Sequence, residues 1–114
     1  MSRSWRLFLQ DIVEAGEKIL RYTEDMDLSD FMKNDMAYDA VLRNLEIIGE
    51  AAKKVPETVR DRYPVVAWRS IVGLRDILAH AYFALDNATL WDVVQHKVPL
   101  LLEQVRKILE EEES

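Results

Sequence analysis

Leu74-Arg75-Asp76-Ile77-Leu78-Ala79-His80-Ala81-Tyr82-Phe83 carries two unlike patterns at once. At about 100° per residue, Ile71, Leu74, Leu78, Ala81 and Leu85 recur at steps of three and four, the spacing of a helix with one side in a core. The other side holds Arg75, Asp76, Ala79, His80, Tyr82 and Phe83. A solvated helix face is ordinarily Glu, Lys and Gln. An Arg, a His, two rings and a small Ala describe a surface that meets something, and a second copy of the same chain is one candidate.

The same periodicity extends outward in both directions. Upstream, the pattern predicts that this third long helix begins near Val66, with Gly73 packed tightly just before Arg75. A connector with one helical turn precedes it, from Pro56 to Pro64. Before that, Ala37, Val41, Leu45, Ile48, Ala52 and Val55 predict a helix over 35–55, widened by Ala40, Ile47 and Ala51. Pro56 ends it, since proline has no amide hydrogen and its ring clashes with the preceding turn. Gly49 inside that helix costs about 1 kcal/mol against Ala, which suggests a close helix approach. The set Arg43, Glu46 and Glu50 reads as a solvated ion-pair face.

The first helix is expected over 4–22, capped by Ser4, with Trp5, Phe8, Ile12, Ala15, Ile19 and Tyr22 as its stripe and its end near Asp25. A short helical turn is expected over 28–33, with Ser29 as cap. Downstream, Asp86 or Asn87 caps a last segment whose apolar side starts at Leu90, Trp91 and Val94. Pro99 should kink it, and Leu102, Val105, Ile108 and Leu109 continue it toward Glu110–Glu113. No strand pattern and no repeat appears. The expected fold is all-α: an up-and-down bundle of four to five helices forming a single domain over 1–114, with an acidic tail at 110–114.

Composition narrows the function classes. In 114 residues, 49% are hydrophobic and only three are Gly and three Pro, which favours a folded helical chain over a disordered one. Cysteine is absent, so no disulfide framework is possible. No apolar run approaches the roughly 18 residues of a membrane span, and the expected location is cytoplasmic. The net charge of −6 argues against a protein that coats nucleic acid. The charge is uneven, however: Arg60, Arg62, Arg69 and Arg75 stand against Asp61 alone, so a local positive field is expected there.

Arg75 and His80 are the candidate catalytic residues. His titrates near neutral pH and can move a proton. Arg stays charged and offers planar paired hydrogen bonds to phosphate. Together they suffice to cleave RNA through its own 2′-hydroxyl, with no metal and no cofactor. Five residues apart, they point roughly 140° apart on a straight helix, so one ligand can reach both only if the helix bends or a second helix supplies one of them. Two antiparallel copies around a twofold would do so, and Ala79 would let them approach. Asp76 is four residues from His80 and within reach of it. Tyr82, seven from Arg75, shares its side of the helix. Without further information, such residues more often make an interface than a catalytic site. His96 is read as structural. No P-loop, zinc pattern or Ser-His-Asp set is present.

Arg75, His80 and Tyr82 match R-x4-H-x-Y, and the chain thereby resembles the HepT-like branch of the HEPN superfamily. Asn44–Ala51 resembles that family's second-helix signature, Trp68–Asp76 its approach to the motif, and Leu85-Asp86 with Leu90-Trp91 its later segment; the likeness runs from about Leu7 to Leu109. The resemblance implies a helical homodimer with its cleft at the interface and a ribonuclease toxin of a type VII toxin–antitoxin pair. It implies Arg75 and His80 as the catalytic pair and Asp76 in support. It also implies an MntA-like nucleotidyltransferase partner that neutralises the toxin by AMP transfer to Tyr82. The alternative is a non-catalytic helical dimer that binds such a nucleotidyltransferase, or a nucleotide.

Overall fold

The computed structural model describes residues 4–74, 78 and 87–113, and all regular structure among them is helical. The elements are α1 (Trp5–Tyr22), α2 (Leu28–Lys33), α3 (Asp35–Lys54), α4 (Glu57–Arg62), α5 (Trp68–Val72) and α6 (Asn87–Asp92). A π-helical turn, Val93–Lys97, joins α6 to α7 (Val98–Glu113). α1 lies along both α3 and α7, and α3 also packs on α5 and α2. One apolar cluster runs through all of them.

The stripe expected on α3 is the one that is buried: Ala37, Val41, Leu45, Ile48, Ala52 and Val55 are all in the core. Val55 turns extended just ahead of Pro56, as the proline ring demands of its predecessor. On α1 the buried sector is rotated from the expected one. Leu9, Ile12, Ala15, Gly16 and Ile19 face inward, because α1 must face α7 as well as α3. Trp5 and Phe8 are only half-buried and lie under cations: Arg62 is 5.8 Å from the Trp5 ring and Lys54 is 5.8 Å from the Phe8 ring. Tyr22 is exposed. Ser4 does cap α1, its Oγ accepting from the Arg6 amide at 3.3 Å. The helix ends at Tyr22 as expected and is capped by Thr23, whose hydroxyl donates to the Ile19 carbonyl at 2.8 Å.

Two expectations need correction, the cap of α2 and the extent of α5. The cap of α2 is Asp27, not Ser29: Asp27 accepts from the Asp30 amide at 2.8 Å and Asp30 accepts from the Asp27 amide at 3.2 Å, a reciprocal capping box. α5 begins at Trp68 and ends at Val72, with Gly73 in a turn. Among the described residues, the atoms nearest to where a Gly73 side chain would start are carbonyls of α5 itself. Of the two expected caps of the last segment, Asn87 is the first residue of α6, its Oδ1 accepting from the Tyr38 hydroxyl at 3.1 Å, and Asp86 lies outside the described residues. Pro99 is the second residue of α7. The π turn lies directly upstream, with the Val98 amide reaching back to Val93, so the mismatch from a missing amide is taken up one turn earlier.

Candidate active site

Arg75, Asp76, His80 and Tyr82 lie outside the described residues, as does most of the expected helix beyond Leu74. What is described is the frame on either side of them. Ile71 and Leu74 are buried and Leu78 packs against the core. The backbone of Ile71 and Leu74 sits against Gly49 of α3: a methyl group there would meet the Ile71 carbonyl at 3.4 Å and the Leu74 Cβ at 3.8 Å. The expected contact at Gly49 is therefore real, although the space would also admit an alanine. On the far side, Asn87 is tied to Tyr38, also on α3. The motif segment thus enters and leaves against one helix, at points eleven residues or about 16 Å apart along it. The turn at Gly73 precedes Arg75, so it does not fall between Arg75 and His80.

The connector leading into α5 is held firmly. The Trp68 indole donates to the Tyr63 carbonyl at 3.0 Å, and Gln104 of α7 donates to the Val65 carbonyl at 3.2 Å. The Tyr63 hydroxyl donates to Glu112 at 2.5 Å, which raises the phenol above its ordinary pKa, and the Arg62 guanidinium lies 3.6 Å from the same carboxylate. The end of the chain expected to be an acidic tail is therefore helical through Glu113, and its Glu112 clasps the connector.

Between α4 and α5 lies a groove of about 770 Å³, lined by Arg60, Arg69, Trp68, Ser70 and the carboxylates Glu57 and Asp61 among others. The expected positive field thus divides. Arg62 is engaged with Glu112, Trp5 and Tyr63. Among the described residues neither Arg60 nor Arg69 closes an ion pair, and the Arg60 Nε is enclosed with no hydrogen-bond partner.

Arg43 and Glu46 form the exposed pair expected of them, at 3.6 Å. His96 is on the surface, 2.9 Å from Asp92, an acid four residues away that the reading of His96 as structural overlooked. Among the described residues no group of three His, Cys, Asp or Glu side chains is placed to hold a metal ion, and no helix is long and apolar enough to cross a membrane.

An all-α bundle that anchors an R-x4-H-x-Y segment at both ends against its central helix defines a class: the helical ribonucleases of HEPN type. The family model for HepT-like ribonucleases matches residues 12–108. A protein of Methanocaldococcus jannaschii, provisionally named an RNase, is 37% identical over 98% of this chain and 97% of its own length. A second from that organism, also provisionally named an RNase, is 41% identical over 90% of this chain and 94% of its own. A protein of Thermococcus cleftensis, provisionally named ribonuclease HepT, is 39% identical over 95% of this chain and 98% of its own. No solved structure matches. The chain belongs to the HepT-like ribonuclease family.

Proposed function

We propose that the chain is a metal-independent endoribonuclease, the toxin of a toxin–antitoxin pair, cutting RNA in a cleft between two copies. The observation that carries this is the family match over residues 12–108, which spans the whole motif segment. The inward-facing Ile71, Leu74 and Leu78 support it, since they leave the polar positions between them for another face. His80 takes the proton from the RNA 2′-hydroxyl, whose oxygen attacks the adjacent phosphorus. Arg75 stabilises the charge that builds on the phosphorane oxygens. The bond to the 5′-oxygen breaks and that oxygen takes up a proton, leaving a 2′,3′-cyclic phosphate and a 5′-hydroxyl. Asp76 orients His80. Because Arg75 and His80 diverge on one straight helix, each cleft draws its arginine from one copy and its histidine from the other.

Regulation follows from Tyr82. Its oxygen attacks the α-phosphate of ATP on an MntA-like nucleotidyltransferase, pyrophosphate leaves, and the AMP on Tyr82 places anionic phosphate where RNA must bind. The test is cleavage of an RNA oligonucleotide by the purified protein in excess EDTA. Cyclic-phosphate products are expected, with Arg75→Ala and His80→Ala each inactive but folded. Undiminished cleavage by both variants would overturn the assignment. On co-production with the transferase, Tyr82→Phe should lose the AMP mass gain that the unaltered chain shows.

A further inference from the structure

We propose that the groove between α4 and α5 binds the phosphate backbone of single-stranded RNA flanking the cut, through Arg60 and Arg69. This rests on the nuclease reading and adds a substrate path to it. Three observations converge. The groove is large and open to solvent, and its wall ends two residues before Leu74, where the motif segment begins. Arg62, next to the groove in sequence, is spent on the fold, whereas Arg60 and Arg69, which line it, make no ion pair among the described residues. They remain unpaired although Glu57 and Asp61 line the same groove, Glu57 one helical turn from Arg60, where such a pair commonly closes. The Arg60 Nε is enclosed without an acceptor, a state that an incoming anion relieves by drawing the guanidinium outward.

A phosphate backbone fits this set better than an isolated anion. The two guanidiniums stand on different helices along one groove, and Ser70 and Trp68, which also line it, add a hydroxyl and an aromatic side chain. The two carboxylates suppress indiscriminate anion binding, which fits a chain of net charge −6.

Binding is measured on the full chain carrying His80→Ala, by fluorescence anisotropy of a labelled single-stranded RNA across a salt series. Two lost phosphate contacts should reduce the slope of log K against log salt by about 1.4, so R60Q/R69Q is expected to show that fall and weaker binding at low salt. R60K/R69K should keep most of the slope. E57Q/D61N should bind more tightly, a gain that misfolding cannot imitate. An unchanged slope in R60Q/R69Q overturns the proposal, as does an R60Q/R69Q defect confined to binding a polyglutamate peptide. Failure here is separable from failure of the nuclease reading. RNA bound through these arginines but never cut by the unaltered chain sinks only the latter; RNA cut normally with both replaced and the slope intact sinks only the former.

Discussion

Gly16 has no room for a side chain: a methyl group there would stand 2.7 Å from Leu102 Cδ2 and 3.0 Å from its Cγ. Alanine would gain about 1 kcal/mol of helix propensity, but overpacking a core commonly costs about 1–3 kcal/mol. Gly16→Ala should therefore lower stability by about 1 kcal/mol in denaturant unfolding. Leu102→Ala should cost less in the Gly16→Ala background than alone, because the added methyl fills part of its cavity. Gly49→Ala, with ordinary contacts at 3.4 and 3.8 Å, should be neutral or stabilising by up to about 1 kcal/mol. Tyr63 makes a pH-dependent contribution. Its hydrogen bond to Glu112 favours the neutral phenol, so its folded pKa is above 10.0. The stabilisation is complete below pH 10 and is lost as pH rises through the folded value. Melting curves should show the unaltered chain above Tyr63→Phe at neutral pH, with the gap closing in strong base. A gap that persists there would show that the hydroxyl is not what matters.

At the scale of elements, α2 is the sharpest test of how the chain sets its helix ends. Asp27→Ala should cost about 1 kcal/mol by removing the capping box, whereas Ser29→Ala, inside the helix and exposed, should fall within about 0.5 kcal/mol of zero. The sequence reading chose Ser29, and the backbone register instead puts Asp27 at the cap. α3 was legible in its extent and its main stripe, although Leu42 and Asn44, also buried, fell outside that stripe. α1 was legible in extent but not in facing, because two partners widen its buried sector and bring in Leu9 and Gly16. Phe31, wholly buried with its ring 4.9 Å from that of Trp91 and 5.3 Å from that of Tyr38, went unnoticed, since one aromatic in a six-residue helix makes no period. The π turn went unnoticed too: proline announces a mismatch in the ladder, not where the helix absorbs it.

For the whole molecule, the sequence offered a candidate site as a motif, while the frame around it emerged only from the fold. Residue types at 75, 80 and 82 suggested the chemistry, but nothing in spacing tells that Gly49 and Tyr38 of one helix hold the two ends of that segment, or that Glu112 and Arg62 secure the connector feeding it. Those are pairs distant in sequence. The central claim is that guanidinium and imidazole from different copies act on one phosphate. Its most direct test is RNA cleavage in EDTA by dimers formed on co-production of Arg75→Ala and His80→Ala chains. With random pairing, half the dimers are mixed and each keeps one intact cleft, so activity should return to roughly a quarter of the unaltered level although each variant alone is inactive. Continued inactivity of the mixture, with mixed dimers demonstrably present and the unaltered chain cutting, would contradict the shared cleft.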